Sequence, residues 1–149
     1  MSQSNERADD EQTAAPTESV HRDYILGVRI VERGAGADGP VYRFEAPSHQ
    51  GIEFDDAETA TLYADVYFDV NGFQEAGTGE RGVPPEIIQA GRDTLVAYFL
   101  TQPLVDVEWI ASYYGEKPEK IDRYVARVRK RARLIRERAV ERGVAENEG

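Results

Sequence analysis

The stretch VEWIASYYGEKPEKIDRYV, from Val107 to Val125, decides the architecture, because its small residues and its proline punctuate two helices at fixed places. Ala111 and Gly115 lie four apart, so a small side chain stands one helical turn before the residue that ends the first helix. Gly115 can take the positive φ of a helix stop, and Ala111 leaves room for a second helix to cross closely. Pro118 suits the first position of that second helix, where its missing N–H is no loss, and Glu119 favours the positive end of the helix dipole. Ile110, Tyr114, Ile121, Tyr124 and Val125 are spaced to face inward and form a small shared core.

Working outward, the spacing predicts helices over 84–101, 106–114 and 118–142, a three-helix unit. The Ile110-Ala111 step, the glycine four residues after Ala111, the turn, and then Ile121 and Tyr124 are together similar to the helix-turn-helix of DNA-binding proteins over residues 107–126. That resemblance implies a second helix entering the major groove of double-stranded DNA, with Lys117, Lys120, Arg123, Arg127 and Lys130 on phosphates or base edges. It implies a small cytoplasmic transcriptional regulator without catalysis, cofactor or metal. Glu119 and Asp122 depart from this pattern, since they would meet phosphates; an intrahelical pair of Glu119 with Arg123 would remove one of them. The alternative is a helical hairpin whose arginine-rich helix docks on an acidic protein or on another copy.

Charge is distributed unevenly. Residues 1–103 hold 7 basic and 19 acidic side chains (net −12), and residues 104–149 hold 11 and 9 (net +2), which accounts for the total of −10. Within 117–138 there are 10 basic and 3 acidic residues, the kind of patch that displaces counterions from phosphates. The same segment carries Ile121, Val125, Val128, Ala132, Ile135 and Ala139 at alternating steps of four and three, a seam that wants a facing helix. Both a homodimer through Ile121, Val125, Val128, Ala132 and Ile135 and packing against the chain's own helices satisfy it.

Arginine outnumbers lysine 15 to 3 at a pI near 4.7, which resembles the composition of halophilic archaeal proteins. At high salt a phosphate-binding surface weakens steeply, so direct base contacts or shape must then carry more of the affinity. Cysteine is absent, so no disulfide or thiolate metal site is available. No apolar run approaches eighteen residues, and the start of the chain reads as an acidic, disordered tail over 1–20 with no export signal.

The first half reads as β structure followed by a helix, giving an α+β fold. Tyr24 to Arg33 and Val41 to Ala46 alternate as a hairpin around the turn Gly34 to Pro40, with Ile52 to Phe54 as a short third strand. Asp55 or Asp56 caps a helix that runs to about Val70, stops at Asn71-Gly72 and covers the hairpin. The units are then 21–75, a Gly-rich linker 76–83, the helical unit 84–142 and a disordered tail 143–149.

Other chemistry is thinly supported. Gly77-Thr78-Gly79-Glu80-Arg81-Gly82 matches G-x-G-x-x-G literally, but no strand leads into it and no Lys-Ser/Thr ends it, so it reads as a linker. Ser48-His49 lacks a positioned acid, and His49 reads as a loop residue. Glu53, Asp55, Asp56 and Glu58 lack the spacing of a calcium loop and read as capping and surface charge. Asp65 and Asp69, one turn apart with Tyr63 and Tyr67 nearby, read as solvated.

Overall fold

The computed structural model describes residues 18–34, 39–47, 49–73 and 83–143. Residues 1–17 of the expected acidic tail, most of the Gly34–Pro40 turn, Ser48, the glycine run 77–82 and residues 144–149 fall outside these residues, whereas 18–20, expected within the disordered tail, begin a strand. The fold is α+β: a four-stranded antiparallel sheet followed by helices.

The strands are β1 (Glu18–Asp23), β2 (Arg29–Arg33), β3 (Val41–Ala46) and β4 (His49–Phe54), in the spatial order β1-β2-β3-β4. Register is set by apolar residues on one face: Ile30 lies opposite Phe44, and Phe44 opposite Ile52, with Ile30 and Phe44 fully buried. The expected strand from Tyr24 to Arg33 is corrected at its start. Residues 24–28 form a tight turn, with the Tyr24 N–H donating to the Val28 carbonyl at 2.9 Å and Leu26 and Gly27 at φ 61° and 75°. That turn folds the preceding segment back as β1, an exposed edge strand whose polar residues gave no alternation to detect. The short strand expected over Ile52 to Phe54 is β4, which is longer than expected and begins at His49.

Helix α1 (Ala57–Asp69) begins where the Asp56 carboxylate accepts the Thr59 N–H at 3.0 Å. It ends where Asn71 and Gly72 turn to φ 60° and 98°, and the Gly72 N–H reaches the Tyr67 carbonyl at 2.7 Å. Apolar on most faces, it is buried between the sheet and the later helices. An aromatic cluster of Phe44, His49, Tyr63, Tyr67 and Phe73 fills the sheet–helix interface, mostly edge to face. His49 is therefore no loop residue: it is buried at the start of β4, with Nε2 2.8 Å from the Tyr63 hydroxyl.

The expected helix over 84–101 is two helices, α2 (Pro85–Gln89) and α3 (Arg92–Phe99), broken at Ala90-Gly91. Gly91 caps the second in an extended conformation, and this reorients the chain although the apolar spacing continues across the break. Helices α4 (Val107–Tyr114) and α5 (Pro118–Glu141) follow. The main core joins both halves of the chain: Val28, Ile30, Phe44 and Val66 share it with Val128 and Ala132 of α5. Ile121, Val128 and Ala132 are fully buried within the chain, and Val125 and Ile135 half-buried. The period-3.5 seam thus faces α1 and α3, so of the two partners it could take the chain's own helices cover Ile121, Val128 and Ala132 and not a second copy; the alanines let α5 approach α1 closely.

Candidate nucleic-acid interface

The site is built on the corner between α4 and α5. Asp106 starts α4 by accepting the Trp109 N–H at 2.8 Å. Gly115 ends it in the left-handed region (φ 69°, ψ 33°), with the Glu116 N–H on the Ala111 carbonyl at 2.8 Å and the Gly115 N–H on Ser112. A side chain at Gly115 would meet nothing within 4 Å, so glycine is required there by backbone conformation and not by space. Pro118 opens α5. Val96, Ile110, Ala111, Ile121 and Tyr124 form a second buried cluster under the corner, with Tyr114 packed against it. Val125, expected in that cluster, packs against the main core instead.

Helix α5 is amphipathic in charge as well as in hydropathy. On the flanks that face α1 and α3, its arginines are tied to buried carboxylates. Asp65 accepts Arg129 Nη1 at 2.8 Å and Arg136 Nη1 at 2.9 Å. Asp69 accepts Arg131 Nε at 2.7 Å and Nη2 at 3.0 Å, while Arg131 Nη1 reaches Asp93 at 2.8 Å and Thr94 Oγ1 donates to Asp69 at 2.6 Å. The expectation that Asp65 and Asp69 are solvated is overturned: their carboxylates are buried, and on a helix buried on most faces the arginines of α5 supply their compensation. Hydrogen bonds to Asp69 and then Asp93 hold the Arg131 guanidinium above its ordinary pKa, firmly cationic. At Asp93 burial pushes upward, but the Arg131 hydrogen bond and charge outweigh it and the pKa lies below its usual value. Arg136 also lies over the rings of Tyr24 and Phe68, at 4.9 and 5.0 Å.

The opposite face carries the residues singled out from sequence. At roughly 100° per residue, Lys120, Arg123, Arg127 and Lys130 fall within about 80° of one another and point away from Val128 and Ala132. Lys117, Arg123, Arg127 and Lys130 are exposed, and Lys120 is half-buried. Lys120 Nζ lies 3.3 Å from Glu116, and Lys120 and Arg127 both lie over the Tyr124 ring, at 5.9 and 5.7 Å. Among the described residues Lys117, Arg123 and Lys130 have no ion pair, and the suggested Glu119–Arg123 pair is replaced by Glu116–Lys120. Glu119 lies about 60° and Asp122 about 120° round from the centre of the stripe, so neither interrupts it. At its head, Gly115, Lys117, Glu119, Lys120 and Arg123 border an open notch of about 580 Å³.

The other candidates settle into structural roles. Asp56 caps α1, and Glu53 pairs with Arg33 at 3.3 Å. No helix among the described residues is long and apolar enough to cross a membrane. The carboxylates Asp65, Asp69 and Asp93 went unrecognised because their partners lie 38 to 71 residues away. Comparison of the chain with protein-family models, with curated proteins and with solved structures gave no match.

Proposed function

We propose that this chain is a small, non-catalytic DNA-binding protein, a cytoplasmic transcriptional regulator that offers α5 to duplex DNA in the manner of a helix-turn-helix. One observation carries the reading: in a chain of net charge −10, Lys117, Arg123, Arg127 and Lys130 have no carboxylate partner among the described residues and lie exposed at the start and along the outward face of α5, beside the glycine corner. Lys117, Lys120, Arg123, Arg127 and Lys130 contact phosphates or base edges, and Ala111, Gly115, Ile121 and Tyr124 hold the geometry. The acidic remainder repels a duplex, so only one approach is electrostatically open.

Titration of a fluorescent duplex at several salt concentrations tests the proposal. Five phosphate contacts give a slope of log K against log salt of about −4.5, and Arg123→Ala with Arg127→Ala makes it shallower by roughly two units. Both arginines are exposed, so the variant keeps its fold. Absence of saturable binding at low salt, or a slope unchanged in the double variant, overturns the reading. Equal competition by heparin does the same and points to an acidic protein as the partner of α5.

A further inference from the structure

A second surface lies on the other arm of the corner. Leu104 is completely exposed although it is a large aliphatic residue, and it stands at φ 67°, a left-handed conformation that a leucine adopts only at a cost. Five residues on, Trp109 is 52% exposed, and Tyr113, one turn beyond it, is 64% exposed. Their rings stack face to face, 5.4 Å apart and within 7° of parallel, on the outward side of α4. Burial explains none of the three, because the core beneath α4 is completed by Ile110 and Ala111. Tryptophan and tyrosine held rigidly at a surface are the residue types that anchor protein interfaces.

Charge indicates what covers them. Between Arg92 and Lys117 the chain has no lysine or arginine; Asp93 and Glu116 in that interval are paired with Arg131 and Lys120, which leaves Asp106 and Glu108, exposed and without an ion pair among the described residues, as the charge on this face. Glu108 is exposed beside Trp109 and has no ion pair among the described residues. Leu104 borders a cleft of about 450 Å³ shared with Glu53, Asp55 and Asp56. A polyanion is repelled from such a face, so it does not extend the stripe on α5.

We infer that the Leu104–Tyr113 face docks a different protein through a basic segment bearing an aliphatic side chain. One cation of that segment stacks on the Trp109–Tyr113 pair, a second meets Glu108 farther round α4, and an aliphatic neighbour covers Leu104. A second copy fits poorly. Its cationic surface is the α5 stripe, which the proposed function gives to duplex DNA, and the inference rests on that reading when it assigns this face to a different protein.

Trp109 is the sole tryptophan, so its emission reports directly on this face. The probe is a short synthetic peptide of alternating arginine and leucine, and the control has glutamate in place of arginine. The expected result is a saturable, salt-weakened change in Trp109 emission with the basic peptide and none with the acidic one. Tyr113→Ala and Glu108→Gln each weaken the basic peptide about tenfold. Both sites are exposed, and circular dichroism checks that the variants stay folded. Trp109→Ala, followed by calorimetry, abolishes binding. In the duplex titration Tyr113→Ala leaves the salt slope unchanged, so failure here and failure of the DNA reading are separable. The inference is overturned by no saturable change, by equal affinity in the variants or by an equal response to the acidic peptide. A Tyr113-dependent response to duplex DNA assigns the face to nucleic acid, and emission that shifts with protein concentration alone assigns it to self-association; either result also overturns the inference.

Discussion

Replacing Asp65 by alanine should destabilise the protein by about 3 kcal/mol, and the structure supplies the terms of that figure. The carboxylate, buried in α1, accepts one N–H from each of two guanidiniums, and a hydrogen bond to a charged group contributes about 1.5–3 kcal/mol. The Arg129 side chain is 31% exposed, so water replaces much of its loss and its share falls to about 1 kcal/mol or less. Arg136 is only 16% exposed and is held over the Tyr24 and Phe68 rings, so it keeps nearly the full loss. For a chain of this size, 3 kcal/mol corresponds to a fall in Tm of about 6–12 °C. Urea unfolding followed by circular dichroism measures the change, with Asp65→Ala made both alone and on an Arg136→Met background. If the uncompensated guanidinium dominates, the second background removes at least half of the effect. A loss below about 1 kcal/mol, or an equal loss on both backgrounds, refutes the reasoning.

Three further outcomes are expected. Asp93 has a folded-state pKa below its ordinary value, so its contribution is complete above that value and is lost as pH falls through the lower, folded pKa. Asp93→Asn should therefore be less stable than the parent at pH 6, with a gap that narrows below about pH 4 in urea titrations. Because Ala132 is fully buried against the rest of the chain, Ala132→Leu should destabilise by about 1–3 kcal/mol at any protein concentration; a neutral result would contradict the intramolecular seam. Leu104→Asn should raise stability by about 0.5–1 kcal/mol in thermal melts, because asparagine tolerates a left-handed φ and the leucine makes no buried contact to lose.

Local punctuation was legible in the sequence. Asp56 and Asn71-Gly72 bound α1 as expected, and Ala111, Gly115 and Pro118 placed the corner to the residue. Features set at long range were not. Strand β1 has no buried residue and hence no period of two, and it pairs only because the Tyr24–Val28 turn folds it onto β2. The break at Gly91 is hidden because Ile88, Leu95 and Phe99, seven and then four residues apart, keep a helical rhythm across it. One signal for Asp65 and Asp69 was available: a helix buried on nearly every side cannot leave two carboxylates in water, so cations from elsewhere had to reach them. The outward stripe was visible by residue type and spacing, whereas the division of the arginines between stripe and interior needed α1 and α3 in place.

That division gives one helix two kinds of response to dissolved ions. In molar salt the screening distance shrinks to about 3 Å, which attenuates exposed charges at Arg123, Arg127 and Lys130 but reaches the contact of Arg136 with the buried Asp65 far less. The anchored side of α5 should keep its grip in brine or in dilute buffer alike, while the free side weakens progressively as salt is added. Ionic strength would then grade attachment to a polyanion without loosening the scaffold that presents it.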